Sequence, residues 1–229
     1  MSEPVLEVRG LRFAYPDGVE ALRGVDFSVQ AGETVALLGA NGSGKTTFLL
    51  HLVGLLRGEG EIVVCGRRLD SDSLSFVRRK IGILFQDSDD QLFMPTVGED
   101  VAFGPLNQGL LPAEVEGRVG WSLERVRMAD ARERAPHHLS AGQKRRVALA
   151  GVLAMDPEII LLDEPATFLD PPSRNDLLAV LEALDQAKIL VTHDLDLARK
   201  LAARAVFFER GRIAAEGAVD ELAERYSWY

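Results

Sequence analysis

The sequence predicts an α/β fold built on a mostly parallel core sheet, and three observations carry that reading. The apolar run Val35-Ala36-Leu37-Leu38 passes through a glycine-rich stretch, residues 39–47, into Phe48-Leu49-Leu50-His51-Leu52: strand, tight loop, helix. Two further apolar runs, Glu158-Ile159-Ile160-Leu161-Leu162 and Lys188-Ile189-Leu190-Val191-Thr192, are each followed by a helical pattern, as strands buried on both faces require. Alternating segments near the start, Val5-Leu6-Glu7-Val8-Arg9 and Val25-Asp26-Phe27-Ser28-Val29, read as half-buried strands of an antiparallel sheet beside that core.

The remaining elements fall between these. Glu61-Ile62-Val63-Val64-Cys65-Gly66-Arg67 reads as a strand closed by a glycine turn, and Ile81-Gly82-Ile83-Leu84-Phe85-Gln86 as a buried strand. From about residue 87 to 150 the pattern changes. Prolines at 95, 105, 112 and 136 punctuate short helical stretches, one over 113–126, which predicts a helical subdomain inserted in a single domain spanning 1–229. After Arg204 come two short strands around Gly211 and a polar helix.

Composition narrows the function classes. The chain has 229 residues, 47% of them hydrophobic, enough for a substantial core. A formal net charge of −9 argues against a broad grip on nucleic acid, which depends on basic surface. Cys65 is the lone cysteine, so no internal disulfide forms and a reducing compartment is expected. No apolar run reaches the roughly 20 residues that span a bilayer, and Met1-Ser2-Glu3-Pro4 lacks the pattern of a signal peptide. Work at a membrane would need another polypeptide to hold the chain there.

The glycine-rich stretch points to phosphate chemistry. Gly39, Ala40, Asn41, Gly42, Ser43 and Gly44 present little side-chain bulk, so the backbone can approach an anion closely. The N–H groups and the helix start add partial positive charge. Lys45 adds a full charge, the Thr46 hydroxyl suits Mg²⁺, and Thr47 completes the run. The strand ending in Asp163-Glu164-Pro165 delivers two adjacent acids, one for a metal, through water, and one to polarise an attacking water. Such a strand end also serves as a helix cap. Ser140 is a good N-cap for the helical run after it. His193 lies just past an apolar strand, and Tyr15 precedes the turn Pro16-Asp17-Gly18.

Taken in order, these residues resemble the ATP-binding cassette (ABC) ATPases, the nucleotide-binding subunits of ABC transporters. The resemblance covers almost the whole chain. It implies a RecA-like core with an antiparallel β subdomain and a helical subdomain, ATP and Mg²⁺ as ligands, and ATP hydrolysis coupled to transport. Tyr15 matches the adenine-stacking aromatic, residues 39–46 the phosphate loop, and Gln86 the Q-loop glutamine, which senses Mg²⁺ and the γ-phosphate. Ser140, Ala141, Gly142 and Gln143 match the signature motif, which grips the nucleotide of a second subunit packed head to tail. Asp163 and Glu164 match the acidic pair, Asp170 the D-loop aspartate and His193 the switch histidine. Thr46, Gln86 and Asp163 are the implied Mg²⁺ ligands, and Glu164, His193 and Gln86 the implied catalytic groups.

A narrower similarity, to the energy-coupling-factor importers, rests on residues 85–105 and on the run 144–155. It implies a peripheral subunit at the cytoplasmic face of the cell membrane, bound to integral-membrane partners, with cobalt or nickel ions as cargo. A vitamin such as biotin is the alternative cargo, and a soluble ABC ATPase without a transport role is the alternative of another class. The similarity implies no transition-metal site on this chain, and the neighbours His137 and His138 have no Cys or further His nearby in sequence. The pattern is departed from in two places: Ala141 stands where glycine is usual, and Ala166-Thr167-Phe168 where Thr-Ala-Gly is usual. The close at Tyr226-Ser227-Trp228-Tyr229, soon after the core, leads to the expectation of a homodimer.

Overall fold

The computed structural model describes residues 3–227. In chain order the strands and helices are β1 (Leu6–Ala14), β2 (Glu20–Val29), β3 (Thr34–Leu38), α1 (Lys45–Leu52), β4 (Glu59–Val64), β5 (Arg67–Arg68), α2 (Leu74–Lys80) and β6 (Ile81–Leu84). There follow α3 (Val97–Asn107), α4 (Pro112–Arg125), α5 (Ala141–Ala154), β7 (Ile159–Asp163), α6 (Pro171–Glu182), β8 (Ala187–Val191), α7 (Leu195–Leu201), β9 (Arg204–Glu209), β10 (Arg212–Gly217) and α8 (Val219–Arg225). Residues separate into two compact units.

The first unit takes the chain up to Ile81, then Glu158–Asp163, then everything from Asp185 on. It holds an antiparallel sheet ordered β2-β1-β4-β5 and, in the second sheet, strands ordered β10-β9-β3-β8-β7. β3 pairs in parallel with β8 and β9, and β7 in parallel with β8. Every residue of β3, β7 and β8 is buried, which is why these strands read as continuous apolar runs. The parallel register sets the ends of β3, β7 and β8 side by side, and residues 39–47, Asp163 and His193 lie at or just beyond those ends.

β1 runs longer than its alternating segment predicts. The alternation ends at Arg9, yet the strand continues to Ala14 through an irregularity between Val8 and Leu11. Gly10 sits there with φ +59°, a left-handed turn of backbone that keeps the ladder going but breaks the period. β2 likewise starts at Glu20 rather than near Val25. Tyr226 stacks on Phe207 with ring centroids 3.7 Å apart, so that terminal aromatic packs against β9. Trp228 and Tyr229 lie outside the described residues.

The second unit comprises Gly82–Pro157 and Glu164–Leu184. It contains most of β6, then α3 to α6. α3 begins with a full capping box: Thr96 Oγ1 accepts from Glu99 N and the Glu99 carboxylate accepts from Thr96 N. α5 is its central helix, with Val147, Ala148, Leu149, Ala150, Val152 and Leu153 buried, and it packs against α3, α4 and α6.

Candidate functional site

In the first unit the predicted phosphate loop joins β3 to α1. A Cβ at Gly39, where φ is +134°, would lie 2.2 Å from the carbonyl oxygen of Phe208, so only glycine fits this corner. The loop folds over its own lysine. Lys45 Nζ donates to the carbonyls of Gly39 at 2.5 Å and Ala40 at 3.0 Å, and the side chain is buried. Ser43 N donates to Ala40 O, closing the turn.

Three long-range contacts gather predicted residues around this loop. The Thr46 hydroxyl donates to Asp163 Oδ2 at 3.2 Å. His193 Nε2 lies 3.0 Å from Asn41 Oδ1, a contact the sequence did not indicate. The Tyr15 hydroxyl is 3.0 Å from Thr47 Oγ1, and Tyr15 O accepts from Gly18 N in the predicted turn. Asp163 is buried, and that burial pushes its carboxyl above the usual aspartate range; the Thr46 hydrogen bond and the Lys45 charge pull the other way. A buried carboxylate beside a hydroxyl is a hard-oxygen pair of the kind Mg²⁺ takes, and a cation there would relieve the cost of ionising Asp163. The residues therefore fit the metal.

The second unit carries the other candidates. Ser140 caps α5 in a capping box with Gln143: Ser140 Oγ accepts from Gln143 N at 3.3 Å, and Gln143 Oε1 accepts from Ser140 N at 3.0 Å. Gly142 is buried while Ala141 is exposed, so the methyl that departs from the pattern meets no neighbour within this chain's core. Glu164 follows Asp163 with φ +49°, a strained backbone for a carboxylate residue. Its Oε2 accepts from the Thr167 hydroxyl at 3.1 Å, so the departure at position 167 supplies a partner for the candidate acid. Asp170 is the N-cap residue of α6, without a side-chain capping bond.

Gln86 follows the end of β6, exposed. Its carbonyl and that of Phe85 accept from the buried guanidinium of Arg145, on α5. This contact has no local signature in the sequence, where Arg145 stands inside a helical run. Nearby, a cavity of about 230 Å³ is lined by Gln91, Phe93, Phe103, Gly104, Val147 and Met155, among others. Phe93 and Phe103 are exposed there and meet edge to face at 4.9 Å. The His137 and His138 rings touch, with centroids 4.2 Å apart, and no group of three metal-ligating side chains occurs among the described residues. No described helix is long and apolar enough to cross a membrane.

Sheet, loop and acid-bearing strand together define a phosphate-loop nucleotide-binding protein. The ABC transporter family profile matches residues 22–167, and the chain belongs to that family; it is an ATPase of the ATP-binding cassette type. The energy-coupling factor transporter ATP-binding protein EcfA of Methanothermobacter thermautotrophicus is 49% identical over 224 residues, covering 95% of this chain and 72% of that protein. Among solved structures, cbiO1 from Clostridium perfringens, part of the ABC transporter complex cbiONQ, superposes with a TM-score of 0.89 at 34% identity, covering 98% of this chain and 92% of that one. The ATP-binding cassette MJ0796, solved as a dimer in a post-hydrolysis state with ADP and Pi, superposes with a TM-score of 0.82 at 30% identity, covering 93% and 98%.

Proposed function

We propose that this chain is the ATP-hydrolysing motor of a membrane importer, working as a head-to-tail homodimer beneath integral-membrane subunits, with cobalt or nickel ions as cargo. The observation that carries the motor reading is the convergence of Lys45, Thr46 and Asp163 at the end of the parallel sheet. The similarity to EcfA and to cbiO1 supports the importer reading. The dimeric cassette MJ0796 supports the paired arrangement.

In this reading residues 39–47 bind the triphosphate through backbone N–H groups and the Lys45 charge. Tyr15 stacks on the adenine. Thr46, Asp163 and Gln86 hold Mg²⁺, Asp163 through water; when bound, the ion offsets charge on the phosphate oxygens. Glu164 takes the proton from the attacking water, and His193, steered by Asn41, donates toward the γ-phosphate. Residues 140–143 grip the nucleotide held by the second copy, and Asp170 lies at the subunit junction. The apolar cavity at Phe93 and Phe103 receives a segment of the membrane subunit, which anchors the motor at the cytoplasmic face.

The test is uptake. The chain is co-purified with its membrane partners and reconstituted in vesicles, and ATP-driven entry of ⁵⁷Co²⁺ is compared with entry of labelled biotin. Metal uptake that is lost with Glu164→Gln, a change expected to lower turnover by about 10²–10⁴-fold while ATP still binds, supports the reading. Biotin uptake alone favours the vitamin cargo that the energy-coupling-factor similarity also allows. ATP hydrolysis with no membrane protein in the purified complex would overturn the importer role.

A further inference from the structure

We infer that Arg145 is a positioning residue for Gln86: it locks the segment carrying Gln86 to the helix whose first turn is residues 140–143, so that the two move together. The inference rests on the role proposed above for Gln86.

Arg145 lies in the second turn of α5 and is 5% exposed. Its Nη1 donates to the Phe85 carbonyl at 2.8 Å and its Nη2 to the Gln86 carbonyl at 2.5 Å. β6 ends at Leu84, so these two carbonyls lie just beyond the strand's regular ladder. A planar guanidinium that binds two successive carbonyls sets two peptide planes at once, and with them the direction in which the Gln86 side chain leaves the backbone. A lysine at this position is a point charge without the rigid fork that fixes the angle between the two planes.

The surroundings favour geometry over simple stability. Burial holds the Arg145 guanidinium below its ordinary range, with Asp87 acting in the opposite sense. Buried charge is expensive, and an apolar side chain of the same length would fill the space at lower cost. The adjacent position repeats the connection: Lys144 Nζ donates to Asp89 Oδ1 at 2.6 Å. Within the segment, Gln91 Oε1 accepts from Phe85 N at 2.9 Å and its Nε2 donates to Ile83 O at 3.1 Å. The segment from 83 to 91 is thus held by three side chains: Arg145 and Gln91 bind its backbone, and Lys144 binds the Asp89 side chain. The Gln86 side chain itself has no hydrogen-bond partner among the described residues. A fixed backbone with a free amide head is the arrangement of a group held ready for a ligand.

Arg145 is five residues beyond Ser140, about 7 Å along the helix axis. Any displacement of Gln86 as it engages Mg²⁺ and the γ-phosphate is therefore passed to the turn that contacts the second copy's nucleotide. One guanidinium would link the two nucleotide sites of the dimer.

A double-mutant cycle on the full-length ATPase, purified with whatever partners accompany it, tests this. Gln86→Ala, Arg145→Met and the double variant are compared by the Mg²⁺ concentration giving half-maximal ATP hydrolysis, with ATP affinity and thermal stability measured alongside. Arg145→Lys, which keeps the charge but loses the fork, replaces Arg145→Met if the latter does not fold. The expected result is a rise of about tenfold or more in the Mg²⁺ requirement for each single variant, unchanged ATP affinity, and no further rise in the double. Rises that multiply in the double variant would overturn the inference while leaving the role of Gln86 intact. A Mg²⁺ requirement unmoved by Gln86→Ala would overturn the role of Gln86 and the inference with it.

Discussion

The Thr46 hydroxyl donates to Asp163 Oδ2 across 117 positions of sequence, at 3.2 Å. This contact joins the phosphate loop to the acid-bearing strand. It is made possible because β3 and β7 flank β8 in parallel and end together. Asp163 is buried at that end, where its ionised form is disfavoured.

Asp163→Asn should therefore separate stability from chemistry. A carboxyl whose folded pKa lies above the unfolded value of 3.8 costs stability as pH rises through that interval, and the full cost persists at neutral pH. The Mg²⁺-free variant should melt higher than the parent at pH 7. Its Mg²⁺ requirement for hydrolysis should rise by about 10–100-fold. A lower melting temperature together with an unchanged Mg²⁺ requirement would refute this account of the site.

His51 predicts a pH dependence of the opposite sign. Its Nδ1 donates to the Thr47 carbonyl at 2.7 Å, which leaves Nε2 as the unprotonated nitrogen; Nε2 is buried without a hydrogen bond among the described residues. Burial holds its pKa below 6.5. A histidine lowered in the folded state stabilises the fold above its unfolded pKa, and that contribution is lost as pH falls from 6.5 toward the folded value. Chemical denaturation of the parent and of His51→Gln between pH 7.5 and 5.5 measures this. The parent should lose up to about 1.4 kcal/mol per pH unit more than the variant. Parallel pH profiles would show that His51 carries no such cost.

Gly142 is held small by its neighbour on α6. A Cβ there would lie 2.3 Å from Ser173 Oγ and 2.4 Å from Ser173 Cβ. Gly142→Ala should destabilise by about 1–3 kcal/mol through overpacking, and Ser173→Gly in the same chain should restore most of it. Ala141→Gly, at an exposed position, should not produce this pattern. Differential scanning fluorimetry of the three variants decides the point, and a Gly142→Ala protein as stable as the parent would remove the packing argument.

Phe168 is 89% exposed and held at φ +64°. Left-handed backbone costs a side-chain-bearing residue about 1 kcal/mol or more, and glycine adopts it freely. Phe168→Gly should therefore raise the melting temperature by about 2–4 °C. An unchanged or lower value in the isolated subunit would mean that the ring makes compensating contacts.

Much of this architecture was legible because it is encoded within a few residues. The buried runs at 35–38, 159–162 and 189–191 announce strands covered on both faces, and these strands form the parallel ladder. The N-cap at Ser140 follows from hydroxyl chemistry ahead of a helical run, and the structure adds its reciprocal bond with Gln143. The alternation predicts a shorter β1 than the structure has, because Gly10 breaks the period while the ladder continues.

The sequence by itself determined the class of the protein and singled out the candidate residues for a nucleotide site. The tertiary structure alone decided which side chains meet: Thr46 with Asp163, Asn41 with His193, Thr167 with Glu164, and Arg145 with the carbonyls of Phe85 and Gln86. The physical reason is range. Periodicity, capping and glycine turns depend on neighbours within a helical turn or a strand, whereas most of these contacts depend on strand register and helix packing between residues up to 152 positions apart. A buried arginine shows this most plainly, since an unpaired charge inside a helical run has no local signature until the fold supplies its partners.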